Sequence, residues 1–230
     1  MQLFFSEITD NRVNFSLDEK KHLTKVLRKK VGDELSVIDG KGYLYIVRIT
    51  SLEKNSSQIE IIRKEKKEKT HNYYLNIAIA PTKNINRFEW FLEKATEIGI
   101  DEITPIICQR SERKKININR CKRILISSIK QSIKYHLPKL NEPIDFNDFI
   151  KQKLEGDKLI AHCLKTEKNK INKSNQKKYI ILIGPEGDFT ENEITNALKN
   201  GFKTTTLGNS RLRTETAGII AAHSVNLQFQ

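Results

Sequence analysis

The sequence predicts an α/β protein: a mainly parallel sheet with helices on both faces, preceded by a small, β-rich N-terminal domain. Three observations predict it. From Asn72 onward, apolar β-prone runs alternate with helix-compatible segments, the order that builds parallel sheets. Residues 1–62 instead hold short alternating segments punctuated by glycine turns. Between them, residues 63–71 (RKEKKEKTH) contain no apolar residue to add to a core. This stretch is read as the linker between domains at 1–68 and 72–230.

In the N-terminal domain, residues 17–27 are read as a helix, with Ser16 as N-cap and Glu19 closing a capping box. Gly32-Asp33, Asp39-Gly40 and Gly42 mark turns, and residues 35–38, 43–49 and 58–62 alternate as strands do. In the second domain, strands are expected at 74–80, 102–108, 158–164, 179–183 and 203–207. Helices are expected at 87–98, 119–134, 190–199 and 214–227. The first places Phe88, Phe91, Ala95 and Ile98 on one face and stops at Gly99. The third opens on a second capping box, Thr190 with Glu193. Residues 165–178 form a polar, lysine-rich excursion.

Composition narrows the function. With 230 residues, 37% hydrophobic and 30% charged, the chain can bury real cores. No apolar run approaches the roughly 20 residues a membrane span needs. The opening MQLFFSEITD lacks the basic start and small-residue cleavage site of a secretory signal, so a cytoplasmic location is expected. Cys108, Cys121 and Cys163 lack CxxC spacing and the five histidines are scattered, so buried thiols are expected and no metal site.

The net charge is +13. Ten basic residues and one acid lie between Arg110 and Lys139, a footprint that suits phosphate binding. A chain rich in Lys, Asn and Ile also carries lysines as filler, but Arg110, Arg113, Arg120 and Arg123 are less easily assigned to that bias. Lys25 and Arg28, with His22, would lie on the N-terminal helix, as RNA contacts or as an ordinary solvated face.

Two loops carry the chemistry. Ile183-Gly184-Pro185-Glu186-Gly187-Asp188 follows one apolar strand, and Leu207-Gly208-Asn209-Ser210-Arg211-Leu212-Arg213-Thr214-Glu215-Thr216-Ala217 follows another. Glycine turns at the carboxyl ends of parallel strands are where open α/β sheets bind ligands, because glycine lets a ligand approach unpaired backbone groups. Taken alone, GPEGD also reads as an ordinary strand-to-helix turn. No GKS or GKT follows it, which argues against a nucleoside triphosphate.

GPEG followed by LRTETA resembles the RsmE family, SPOUT-class methyltransferases that methylate uridine N3 in small-subunit ribosomal RNA. Further elements of the pattern occur in order: His22-Leu23, Val26-Leu27-Arg28 and Gly32-Asp33; Lys94-Ala95-Thr96-Glu97-Ile98-Gly99-Ile100; Gln131-Ser132 with Pro138. Asp188 stands where a second glycine is usual, and Ser210-Arg211 where Arg-Ile is expected. Whether Arg211 or Arg213 contacts the substrate is therefore open.

The resemblance implies a PUA-like RNA-binding β-barrel at the N-terminus and a trefoil-knotted catalytic domain threaded after Leu207. It also implies a homodimer, a 16S ribosomal RNA substrate and S-adenosyl-L-methionine as cofactor. Backbone groups at Gly184, Gly187 and Gly208 would meet the cofactor, with Ile183, Leu207 and Leu212 packed on its adenine. Pro185, Glu186, Thr214, Thr216 and Ala217 complete the expected binding set. Arg213 would orient phosphate or uracil carbonyls, and Glu215 would act either as general base or as a helix-capping carboxylate. A ribosome-associated RNA-binding protein without catalysis is the rival reading. A DNA-binding protein is a weaker one, since no helix-turn-helix or zinc pattern is present.

Overall fold

The computed structural model describes residues 2–9, 12–16, 19–20, 23–24, 27–52 and 57–230. They form two compact units, Met1–Thr70 with Ile126–Leu137, and His71–Leu125 with Pro138–Gln230.

The first unit holds strands β1 (Leu3–Phe5), β2 (Glu7–Thr9), β3 (Arg12–Asn14), β4 (Glu34–Ile38), β5 (Tyr43–Leu52) and β6 (Ser57–Lys66). β1-β4-β5-β6 is one sheet, in which β1 runs parallel to β4, and β2-β3 is a separate antiparallel ribbon. Phe4, Val37, Tyr45, Val47 and Ile49 form one buried cluster, joined by Val13, Phe15, Leu23 and Leu35.

β6 runs through Lys66, into the stretch read as linker. Its charges are those of a solvated strand rather than of an unstructured link: Lys64 Nζ lies 4.1 Å from the centroid of the Tyr43 ring, and Lys67 pairs with Glu65 at 2.7 Å. The expected helix over 17–27 lies largely outside the described residues, and so do His22 and Lys25. Ser16 Oγ does accept from the Glu19 amide at 3.2 Å. The Glu19 carboxylate pairs with Lys130 instead of returning to the cap.

Residues 126–137 complete this unit. Ile129 is fully buried with Leu3, Ile38 and Leu44. The turn at Asp39–Gly42 is clasped by backbone bonds from Gly42 N–H to the Tyr135 carbonyl and from Leu137 N–H to the Gly40 carbonyl. The His136 ring occupies the place a Gly42 side chain would take, 2.4 Å from a Cβ there.

The second unit contains β7 (Tyr74–Ile79), α1 (Ile85–Ile98), β8 (Glu102–Ile107), α2 (Ile118–Gln131, its last turns counted with the first unit), β9 (Lys139–Leu140), β10 (Ile144–Asp145) and α3 (Phe146–Ile150). β11 (Asp157–Ala161), β12 (Asn169–Lys170), β13 (Lys178–Ile183), α4 (Glu191–Lys199), β14 (Lys203–Thr206) and α5 (Thr214–Leu227) follow. The strands run in the order β10-β8-β7-β13-β11-β14-β12, with β9 also on β8, and every pairing is parallel. Both faces are covered, which explains why β13 (KYIILI) is a continuous apolar run rather than an alternating one.

On one face, Ile160, Ile180 and Leu182 pack with Phe146 and Phe149 of α3, Ile194 of α4, and Phe189 and Phe202. On the other, α5 returns from β14 to pack against α1, β7 and β13. Gly218 permits that approach, since a Cβ there would lie 2.6 Å from the Phe91 ring and 3.0 Å from Ile79.

Candidate cofactor pocket and nucleic-acid surface

The carboxyl ends of β11, β13 and β14 lie side by side, and the two motif loops leave from β13 and β14. Between them is a cavity of about 700 Å³, within the size range of small-molecule sites. Ile183, Gly184, Pro185, Glu186, Leu207, Gly208, Leu212, Thr214 and Ala217 line it, as does Arg213.

The GPEG turn is closed by Asp188 N–H donating to the Pro185 carbonyl at 2.9 Å. Asp188 takes φ 61°, a left-handed conformation that aspartate tolerates better than most side chains. Its carboxylate accepts from the amides of Cys163 and Phe189, both at 2.8 Å. Aspartate therefore serves where glycine is usual, and it ties the GPEG turn to the end of β11. Gly184 is needed for packing: the Phe189 ring lies 3.1 Å from where its Cβ would be. Thr214, buried, donates its hydroxyl to the Gly184 carbonyl at 3.0 Å and joins the two motif loops directly. Gly208 holds φ 128° with open space on the side a Cβ would occupy, while its amide and carbonyl both meet the Thr206 hydroxyl, at 3.3 and 3.0 Å.

Three expected residues do not line the cavity. The Gly187 carbonyl turns outward to accept from Arg110 Nη1 at 2.8 Å. Glu215 and Thr216 follow Thr214 on α5, and the helical period brings Thr214 and Ala217 to the pocket while carrying the two between them away. Arg213 is the N-cap residue of α5, makes no side-chain capping bond and is exposed. Thr214 thus serves the loop contact rather than a cap.

The sequence reading missed the third wall, which comes from β11 and the lysine-rich excursion: Ala161, His162, Cys163, Lys165 and Lys168. The signal was available, because residue 161 ends another apolar strand of the same sheet. Lys168 Nζ donates to the His162 carbonyl at 2.5 Å. Burial, then the nearby Lys168 charge, holds the His162 imidazole below its usual value. Cys163 is exposed, contrary to the expected buried thiol, whereas Cys108 and Cys121 are buried. Among the described residues no group of His, Cys, Asp and Glu has the arrangement of a metal site.

The arginines expected to hold RNA divide by what they touch. Arg113 donates to the Lys83 carbonyl from Nη2 at 2.7 Å and to the Thr82 carbonyl from Nε at 3.0 Å. The Lys83 amide in turn donates to Glu186 Oε1 at 2.9 Å. Arg110 and Arg113 therefore brace the GPEG loop from behind. Arg120 is paired with Glu89. Arg123 and Arg28 are exposed.

Family models match the chain in two places: an RNA methyltransferase PUA domain over residues 18–62 and an RNA methyltransferase domain over residues 68–226. Ribosomal RNA small subunit methyltransferase E of Mesomycoplasma hyopneumoniae is 34% identical, over 95% of this chain and 96% of its own length. The enzyme of the same name from Rickettsia conorii is 30% identical, over 96% and 93%. A crystal structure of a probable rRNA-methyltransferase from Porphyromonas gingivalis superposes with a TM-score of 0.91 at 34% identity, covering 100% of this chain and 98% of that one. The Neisseria gonorrhoeae ribosomal RNA small subunit methyltransferase E, solved bound to S-adenosyl methionine, gives 0.83 at 26% identity over 100% and 98%. The chain belongs to the ribosomal RNA small subunit methyltransferase E family.

Proposed function

We propose that this protein transfers a methyl group from S-adenosylmethionine to N3 of one uridine in 16S ribosomal RNA, acting as a cytoplasmic homodimer. The observation that carries the reading is the cavity itself. Its apolar wall (Ile183, Leu207, Leu212, Ala217) suits an adenine, and the space left beside Gly208, where a side chain would stand, lets a ligand come close to that turn. A purely RNA-binding role leaves this cavity without a purpose.

When bound, S-adenosylmethionine supplies a methyl group made electrophilic by a positively charged sulfur. The chain's own residues do the rest. Thr214 and Asp188 hold the loops in one arrangement before any ligand arrives, so little ordering remains to be done on binding. The uracil N3 proton must leave before N3 attacks, and negative charge then develops on the adjacent carbonyl oxygens. Arg213, exposed at the cavity rim, is the donor we assign to those oxygens. Holding N3 in line with the methyl carbon supplies much of the remaining acceleration. Glu215, buried away from the cavity, is not placed to take the proton itself.

The dimer is supported by large apolar side chains left in solvent on the two helices that pack together: Trp90 of α1 at 46% exposure and Leu227 of α5 at 50%. Titrating the purified protein with S-adenosylmethionine, then assaying methyl transfer to small subunits lacking the modification, tests the proposal. A protein that binds subunits but not the cofactor would refute it.

A further inference from the structure

We propose that Arg87 grips a phosphate of the substrate RNA beside the target nucleotide, and that the buried Glu215 carboxylate is the residue that positions it; the proposal rests on the methyltransferase reading above. Glu215 is 5% exposed, yet no side chain among the described residues is hydrogen-bonded to it. Among the described residues Oε2 has no partner, and Oε1 lies 3.8 Å from Arg87 Nε. A buried carboxylate is costly unless compensated, and the N-terminal end of α5 offsets only part of that cost. A neutral residue would serve the fold better at this position. The acid is explained if its work is to hold a cation.

The Arg87 side chain is 41% exposed, with its Nε edge toward Glu215. No other partner holds its guanidinium among the described residues. Guanidinium carries five donors in a rigid fork, so a carboxylate on the Nε side leaves both terminal nitrogens for a bidentate grip on phosphate. Position supports that use. Arg87 lies in the first turn of α1, four residues after Lys83, whose amide holds Glu186 of the cavity. Glu215 immediately follows Thr214, which holds Gly184. The ion pair is thus built from the two helix starts that adjoin the motif loops. Arg110 and Arg113, by contrast, have guanidinium nitrogens committed to backbone carbonyls.

The test uses the full-length protein, with Arg87→Gln, Arg87→Lys, Glu215→Gln and the Arg87→Gln/Glu215→Gln double variant. Each is measured for methyl transfer to small subunits across a salt series, for S-adenosylmethionine affinity, for Tm and for mass in solution. Arg87→Gln is expected to lower kcat/KM about tenfold and to flatten the slope of log RNA affinity against log salt by about 0.7–0.9, the change for one lost phosphate contact. Cofactor affinity, Tm and mass should stay at wild-type values, and Arg87→Lys should recover part of the slope. Glu215→Gln should act in the same direction, and the double variant should be no worse than Arg87→Gln alone.

An Arg87→Gln protein with the wild-type slope and rate overturns the proposal. So does one whose losses follow a lower Tm or a halved mass, since the pair would then be serving the fold or the dimer. If Glu215→Gln adds its full effect to Arg87→Gln, the positioning role is refuted. Failure of the wild-type protein to bind cofactor is a separate result, seen before any variant is made, and it removes the parent reading along with this one.

Discussion

The bond between the two motif loops gives the sharpest single perturbation. Thr214 is 4% exposed and donates its hydroxyl to the Gly184 carbonyl at 3.0 Å. Thr214→Val replaces the hydroxyl by a methyl of similar size, so it removes the bond with little change in packing volume. A neutral hydrogen bond contributes about 1 kcal/mol net, and a buried carbonyl left without a partner costs about 1–3 kcal/mol. For a chain of this size each kcal/mol lowers Tm by about 2–4 °C. Loss of the tie also leaves the cofactor to order the loops on binding. If that ordering costs about 1.4 kcal/mol, the S-adenosylmethionine Kd rises about tenfold. Calorimetric titration and thermal melts read both effects, and Thr214→Ser, which keeps the hydroxyl, should restore most of the affinity. Wild-type affinity in Thr214→Val would show that the loops are held by other contacts and refute the reasoning.

Further outcomes follow from the same site. Gly208→Val should abolish cofactor binding; the space around a Cβ there is open, so the remaining cost is the backbone strain at φ 128°, about 1–3 kcal/mol. Arg213→Ala should reduce methyl transfer about a hundredfold with cofactor affinity unchanged, while Arg211→Ala serves as the control; reversed results would transfer the role to Arg211. Light scattering should give about twice 26.7 kDa, and an active monomer would refute the dimer. His162 has a folded-state value below that of the unfolded chain, so the unfolded state takes up the proton first as pH falls. Stability should therefore drop as pH passes below about 6.5, and His162→Gln should flatten that drop in denaturant melts.

Much of this site was legible in the sequence because its signals are local. The capping box at Thr190 and Glu193 is present, and the last helix spans Thr214–Leu227 as expected. What was not legible depends on partners distant in the chain. Periodicity identifies the apolar face of α2 but not which unit buries Ile129. The basic block around Arg110 reads as an RNA surface until the structure shows Arg110 on the Gly187 carbonyl and Arg113 on the Lys83 carbonyl. Aspartate in place of glycine at 188 looks like a departure until its carboxylate is seen bonded to the Cys163 amide. Arg63 to Lys66 lacks apolar residues, yet it continues a strand because Tyr43 and Tyr45 offer rings to Lys64.

The most direct test of the central claim is to give small subunits from a strain lacking this protein the purified protein and S-adenosylmethionine, then map the 16S RNA by mass. The account predicts one added methyl, on N3 of a single uridine, only when both are present. Subunits that bind the protein but gain no methyl, or gain it elsewhere than N3 of a uridine, would contradict it.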